Sequence, residues 1–167
     1  MRIYLVGYMG SGKTTLGKKL AKQMKYAFID LDHVIEKQQD RKINQIFESD
    51  GEIVFRDIEK TELQKTVLLE NTIISCGGGT PCFFDNMDWM NQHGVTLYLQ
   101  MTVEGLCSRL CNGREERPLL KNLNPQEVKN FIALNLAKRE PFYLQAQHCV
   151  NGEGVDVRAI ASLVLSP

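Results

Sequence analysis

Gly7-Tyr8-Met9-Gly10-Ser11-Gly12-Lys13-Thr14 follows the pattern Gly-x4-Gly-Lys-Thr, and it stands where such a pattern does chemistry. An apolar run, Ile3–Val6, precedes it, and a helical pattern over Lys13–Met24 follows, with Leu16, Leu20 and Met24 at helical spacing. Glycines let consecutive backbone N–H groups turn inward round a phosphate, and the start of the next helix adds its positive dipole end. The lysine of this pattern reaches the β- and γ-phosphates, and the hydroxyl after it takes one place on magnesium. Gly10, Ser11, Gly12, Lys13, Thr14 and Thr15 are therefore expected to hold a nucleoside triphosphate, with Mg2+ on Thr14.

Three further groups carry possible chemistry. In "FIDLDHVIE", Asp30 and Asp32 are two apart, so an extended segment presents both carboxylates to one side. A carboxylate there can order magnesium's water shell or accept a proton from a hydroxyl; taken singly, either aspartate is also a good helix N-cap. In "TIISCGGGTP", the consecutive Gly77, Gly78 and Gly79 are entropically costly and suit a backbone that a ligand approaches closely. Among the arginines, Arg56 lies about 200° round a helix from the Val54/Ile58 stripe. Arg117 precedes a proline in a long polar segment, and Arg139 sits in "LAKREPFY".

The elements that position these groups alternate. Apolar runs at Ile3–Val6, Ala27–Ile29, Thr72–Cys76, Val95–Leu99 and Cys149–Val150 read as strands. Helical patterns lie between them: Lys13–Met24, a long helix opened by a capping box at Ser49–Glu52 and running to about Glu70, Phe131–Tyr143 and Val155–Leu165. Strand and helix in alternation imply an α/β fold, a parallel sheet with helices on both faces. Residues 112–125, "NGREERPLLKNLNP", are too long for an ordinary connection and are expected to form either a functional lid or a disordered excursion, of which the lid is the favoured reading. The 167 residues are expected to make one domain.

Composition limits the partners. Twenty basic and twenty acidic side chains leave no net charge, so no global field draws the chain to nucleic acid or an anionic membrane. An anion site must gather its cations locally. No apolar run is long enough to span a bilayer, and because the chain enters its first apolar run at once no leader is expected. The five cysteines are odd in number without a C-x-x-C pair, which suits free thiols in a reducing cytoplasm. Cys107 and Cys111 are four apart on a helical pattern, but no histidine or acidic partner completes a metal set beside them.

The phosphate motif alone leaves GTPase switches, ATP-driven motors and small-molecule kinases open. No Asn-Lys-x-Asp base-reading motif occurs, and the chain is short for a motor module. An arginine-bearing lid and an acidic pair after the second strand favour a kinase of a small acceptor. From its first strand to its last helix the chain resembles the shikimate kinase family. The resemblance rests on GSGKTT at Gly10–Thr15, DLD at Asp30–Asp32, DGEIVFRDIE around Arg56, CGGGT at Gly77–Gly79, RPLL at Arg117 and LAKREPFY at Arg139.

That resemblance implies a P-loop fold with five parallel strands in the order 2-3-1-4-5, and transfer of phosphate from ATP to the 3-hydroxyl of shikimate. It implies that Asp32 contacts the acceptor's hydroxyls and takes the proton, that Arg56 and Arg139 hold its carboxylate, and that Gly77, Gly78 and Gly79 offer backbone contacts. Arg117 is implied as the lid arginine over the phosphates and Asp30 as a ligand to magnesium through water. Residues 32–62 are implied as the acceptor-binding region, in a cytoplasmic monomer. Two features depart from the family pattern: Glu115 and Glu116 beside Arg117, and an acidic "VNGEGVD" near Asn151 where the adenine site is expected. Rival readings are a gluconate or nucleoside monophosphate kinase, and a nucleotide-binding regulatory module without turnover.

Overall fold

The computed structural model describes residues 1–112 and 123–165. The middle of the expected lid, with Glu115, Glu116 and Arg117, lies outside the described residues. The five apolar runs form β1 (Arg2–Val6), β2 (Ala27–Asp30), β3 (Thr72–Ser75), β4 (Val95–Gln100) and β5 (His148–Asn151). All pair in parallel, in the order β2-β3-β1-β4-β5, as the resemblance implied. The helices among the described residues are α1 (Lys13–Met24), α2 (Leu31–Gln39), α3 (Ile43–Lys65), α4 (Asn86–His93), α5 (Val103–Asn112), α6 (Pro125–Tyr143) and α7 (Val157–Leu165).

Side chains alternate across the sheet, and each face is buried. Ile3, Leu5, Ile73, Leu97 and Leu99 pack with Leu16 and Leu20 of α1 and Ile160 and Val164 of α7. Tyr4, Val6, Ile74 and Tyr98 pack on the other face against residues of α2 to α6, including Leu31, Phe55, Met90, Ile132 and Tyr143. The register sets the carboxyl edge: Asp30 is level with Ser75, and Ser75 with Leu5. The glycine-rich bend therefore leaves the central strand one residue beyond the edge on which Asp30 sits.

Several boundaries differ from expectation. α3 begins at Ile43, and the Ser49–Glu52 capping box does not form: Ser49 Oγ donates to Gln45 O at 2.8 Å and Asp50 pairs with Arg41. Gly51, at φ 85°, breaks the helix there instead, a left-handed angle that a side chain rarely tolerates. Beyond that break the Val54/Ile58 stripe only partly faces inward: Ile58 packs at the edge of the core. Ile53 and Val54 are exposed, whereas Phe55, Arg56, Glu59 and Leu63 are buried. Apolar spacing misleads here because charged residues that pair with one another occupy the inner face. α6 starts six residues before Phe131, at Pro125, where Asn124 and Glu127 form a capping box and proline takes the first turn.

Gly94 ends α4 and lets β4 pass close to β1. A Cβ there would stand 2.7 Å from the Arg2 carbonyl oxygen and 2.8 Å from the buried Tyr4 ring. Its backbone is extended, so the constraint is space alone. Gly94→Ala should therefore destabilise the fold by about 1–3 kcal/mol, seen as a lower urea midpoint with an unchanged m-value.

Candidate active site

The bend between β1 and α1 is built by glycine geometry. Gly10 and Gly12 lie at φ 79° and 100°, and α1 begins at Lys13 with no side-chain cap on its N-terminus and no acidic residue in its first turn. Exposed N–H groups and the helix dipole therefore face one cavity. The Ser11 hydroxyl is buried there with no hydrogen-bond partner among the described residues. Lys13 is buried, and its Nζ donates to the carbonyls of Gly7 (2.8 Å) and Tyr8 (2.9 Å), so the bend itself cradles the ammonium. A polar cavity of about 420 Å³ runs from Gly10, Gly12 and Thr15 past Lys13 and Thr14 to Asp30, Asp32, Ser75, Gly77 and Gly78.

Asp30 and Asp32 reach that cavity by a route other than one extended segment. Asp30 is the last residue of β2, and Asp32 lies in the first turn of α2. At the helix N-cap position Asp30 makes no side-chain cap bond; its Oδ2 accepts from the Thr14 hydroxyl at 2.8 Å. Ser75 Oγ lies 3.5 Å from the same hydroxyl. One hydroxyl and one carboxylate at the mouth of a phosphate cavity fit magnesium, which keeps several waters and binds through one or two carboxylates plus phosphate oxygens. No group of three or more His, Cys, Asp or Glu residues among the described residues forms a metal cage. The donor set would suit a metal brought in with a nucleotide better than one held by the protein alone.

A second cluster lies beside Asp32. Arg56 is buried in α3; its Nη1 donates to Glu59 Oε2 at 2.7 Å and its Nη2 to Glu52 Oε1 at 3.1 Å. The guanidinium carbon stands 4.1 Å from the Phe83 ring centroid. Glu59 is 1% exposed and also accepts from the Thr80 hydroxyl at 2.5 Å. Arg139, on α6, has its guanidinium carbon 5.7 Å from the Tyr8 ring centroid.

Gly77, Gly78 and Gly79 lie where these groups meet. A Cβ on Gly77 would be 2.8 Å from Asp32 Oδ1 and 3.0 Å from Glu59 Oε1, and one on Gly79 would be 2.6 Å from Arg56 Nη2. One on Gly78 would lie 3.3 Å from the Met9 amide nitrogen and 3.5 Å from Arg139 Nη1. None of the three has a positive φ. These glycines supply space for charged side chains, and left-handed backbone is not their use.

Three contributors escape a reading of the sequence by motif. Arg109 of α5 donates from Nη1 to Ser11 O at 2.6 Å and from Nη2 to Gly152 O at 3.0 Å. It thereby joins the phosphate bend to the loop after β5. With Lys19, Leu99, Gly152, Gly154 and Val155 it lines a cleft of about 480 Å³ that continues from Gly10 and Ser11. Glu59 is the second; its spacing of three from Arg56 is a legible ion-pair signal. Tyr143, one turn after Arg139, is the third.

A phosphate-binding bend on the central strand of a parallel sheet, with carboxylates at the helix start and two arginines across a glycine turn, defines a P-loop phosphotransferase. The family model described as shikimate kinase matches residues 9–166. The shikimate kinase of Parabacteroides distasonis is 48% identical over 152 residues, covering 91% of this chain and 88% of that protein. The crystal structure of shikimate kinase from Bacteroides thetaiotaomicron superposes with a TM-score of 0.91 at 41% identity, over 98% of this chain and 95% of that one. Shikimate kinase from Acinetobacter baumannii, solved in complex with shikimate, gives 0.83 at 33% identity over 98% and 90%. The chain belongs to the shikimate kinase family.

Burial, and then the carboxylates of Asp30 and Glu59, push the Asp32 carboxyl from its ordinary 3.8 up to about 6, against the pull of Lys13 and Arg56. Between about pH 4 and 6 the folded protein thus holds a proton that the unfolded chain has lost. Stability from this group falls as pH rises through that window, and the full cost stands above it. Asp32→Asn removes the charge, so the ligand-free variant should be more stable than the unsubstituted protein by about 1–2 kcal/mol near pH 7.5. Urea unfolding at the two pH values checks this, since the gain should vanish near pH 4.

Proposed function

We propose that this chain transfers the γ-phosphoryl group of ATP to the 3-hydroxyl of shikimate, as one kinase domain acting as a cytoplasmic monomer. The observation that carries the reading is the convergence of Arg56 and Arg139, from separate helices, on the three-glycine turn beside Asp32. In a chain without net charge, two buried or half-buried arginines at one turn suit an anionic acceptor. Among the described residues no helix is long and apolar enough to cross a membrane.

In this reading the bend Gly10–Thr15 wraps the triphosphate, and the cleft lined by Arg109, Gly152 and Val155 takes the nucleoside. Lys13 exchanges the carbonyls of Gly7 and Tyr8 for phosphate oxygens. Magnesium would be held by the Thr14 hydroxyl and, through water, by Asp30, and when bound it neutralises charge on the phosphates. Asp32, half-buried with its carboxyl raised to about 6, is ionised at neutral pH yet close enough to titration to accept the hydroxyl proton. Arg56, held by Glu59 and Glu52, and Arg139 fix the acceptor's carboxylate, and the backbone of Gly77, Gly78 and Gly79 contacts its ring substituents. Arg117 is proposed to add charge at the phosphates from the lid at residues 112–125, with residues 32–62 forming the acceptor-binding region. Little covalent work falls to the protein: alignment and charge neutralisation stabilise a loose phosphoryl-transfer transition state.

Coupled ADP release with shikimate, its methyl ester, gluconate and AMP as acceptors tests the reading. Shikimate should be the efficient acceptor. The ester keeps every hydroxyl but removes the anion that would pair with Arg139 and with the Arg56 donors left over by Glu52 and Glu59, so its kcat/KM should fall by about 30- to 1000-fold, or about 2–4 kcal/mol. An ester used as well as the acid would remove the carboxylate clamp and point to a neutral polyol.

A further inference from the structure

The three-glycine segment is a tight turn whose middle peptide has two orientations available, and one distant phenol selects between them. Thr80 N donates to Gly77 O at 3.2 Å, closing a turn over Gly77–Thr80, and Gly79 lies at φ −93°, ψ −19°. Those are the angles of the third residue of a type I turn. A type II turn has the same ends but the central peptide reversed, and it asks for a positive φ at that residue, which glycine adopts freely. With glycine at both central positions, the local sequence does not decide between the two.

Tyr143 decides. Its hydroxyl donates to the carbonyl oxygen of Gly78, the outward carbonyl of the central peptide. The ring is fully buried and packs against Tyr98 with centroids 5.2 Å apart, so the donor has a fixed origin. Burial raises the phenol's pKa, which keeps the donor protonated. A trans peptide carries its C=O and N–H on opposite sides, and no cis peptide occurs among the described residues. Holding Gly78 O toward α6 therefore sets the direction of the Gly79 N–H. That N–H has no hydrogen-bond acceptor among the described residues, and its residue lies against the Arg56 guanidinium. Arg139 sits one turn before Tyr143 on the same helix and acts electrostatically on the same phenol.

We infer that Tyr143 is a positioning residue: its phenol locks the Gly78–Gly79 peptide so that the Gly79 N–H stays turned toward the anionic acceptor held by Arg56 and Arg139. The inference rests on the proposed shikimate reading. α6 then delivers one arginine directly and one backbone donor indirectly, which ties acceptor recognition on α6 to that on α3.

Tyr143→Phe removes the oxygen and keeps the ring. The shikimate KM should rise about five- to tenfold, with the ATP KM within about twofold and the thermal midpoint lowered only by the few degrees that one part-buried hydrogen bond is worth. A purely structural role would shift the midpoint and both KM values together. In protein labelled with 15N-glycine, the Gly79 amide should give one resonance that moves on shikimate addition. In Tyr143→Phe it should broaden or double, and respond less. An unchanged shikimate KM in a folded Tyr143→Phe, or a Gly79 resonance in the unsubstituted protein that saturating shikimate does not move, overturns the inference. The second measurement decides if the variant does not fold. If the unsubstituted protein does not phosphorylate shikimate, the functional reading fails first, and the two failures are distinct.

Discussion

The site depends on three consecutive positions having no side chains. Asp32 and Glu59 occupy the space of a Cβ at Gly77 and Arg56 lies in that at Gly79, while a Cβ at Gly78 would press on the Met9 amide at 3.3 Å and touch Arg139 at 3.5 Å. Guanidinium and carboxylate groups can approach a backbone this closely only where nothing projects from it. The turn thereby becomes the floor between the phosphate cavity and the Arg56–Glu59 cluster. β3 delivers it to the carboxyl edge of the sheet, level with Asp30 and one strand from the bend after β1.

The electrostatics follow from that crowding. Asp30, Asp32 and Glu59 bring three carboxylates close together, and Lys13 and Arg56 lower the cost without removing it, as the raised Asp32 carboxyl records. A buried Arg56–Glu59 pair is weak evidence for stability, because desolvation offsets most of the attraction. Its use is orientation. Glu59 and Glu52 hold two edges of the guanidinium while the Phe83 ring lies against it, and Thr80 steadies Glu59. Arg109 performs a similar service beside the phosphate bend, bridging Ser11 and Gly152.

Much of the fold was legible because it is written in local signals. The five apolar runs, the Gly-x4-Gly-Lys-Thr bend and the Leu16/Leu20 stripe fall on the elements they implied, with ends shifted by a residue or two. Legibility failed where side chains pair rather than pack. On α3 a buried Arg–Glu pair takes the inner face and Val54 is left in solvent, so hydrophobic spacing pointed the wrong way. Asp30 and Asp32 were placed in one cavity by an argument from strand periodicity, yet the chain turns into α2 between them. The reason for three glycines was half seen: close approach was expected of a ligand, and the structure finds it with the protein's own charges. Arg109 and Tyr143 act through contacts far apart in sequence, which spacing along the chain does not carry.

Calorimetric titration of Gly79→Ala tests most directly whether space at this turn governs the acceptor pocket. A Cβ there stands 2.6 Å from Arg56 Nη2 and must displace a guanidinium that Glu59 and Glu52 hold. The phosphate bend is untouched by that change. Shikimate affinity should fall at least about tenfold while ATP affinity stays within about twofold. Shikimate binding as tight as in the unsubstituted protein, or an equal loss for both ligands, would contradict the account.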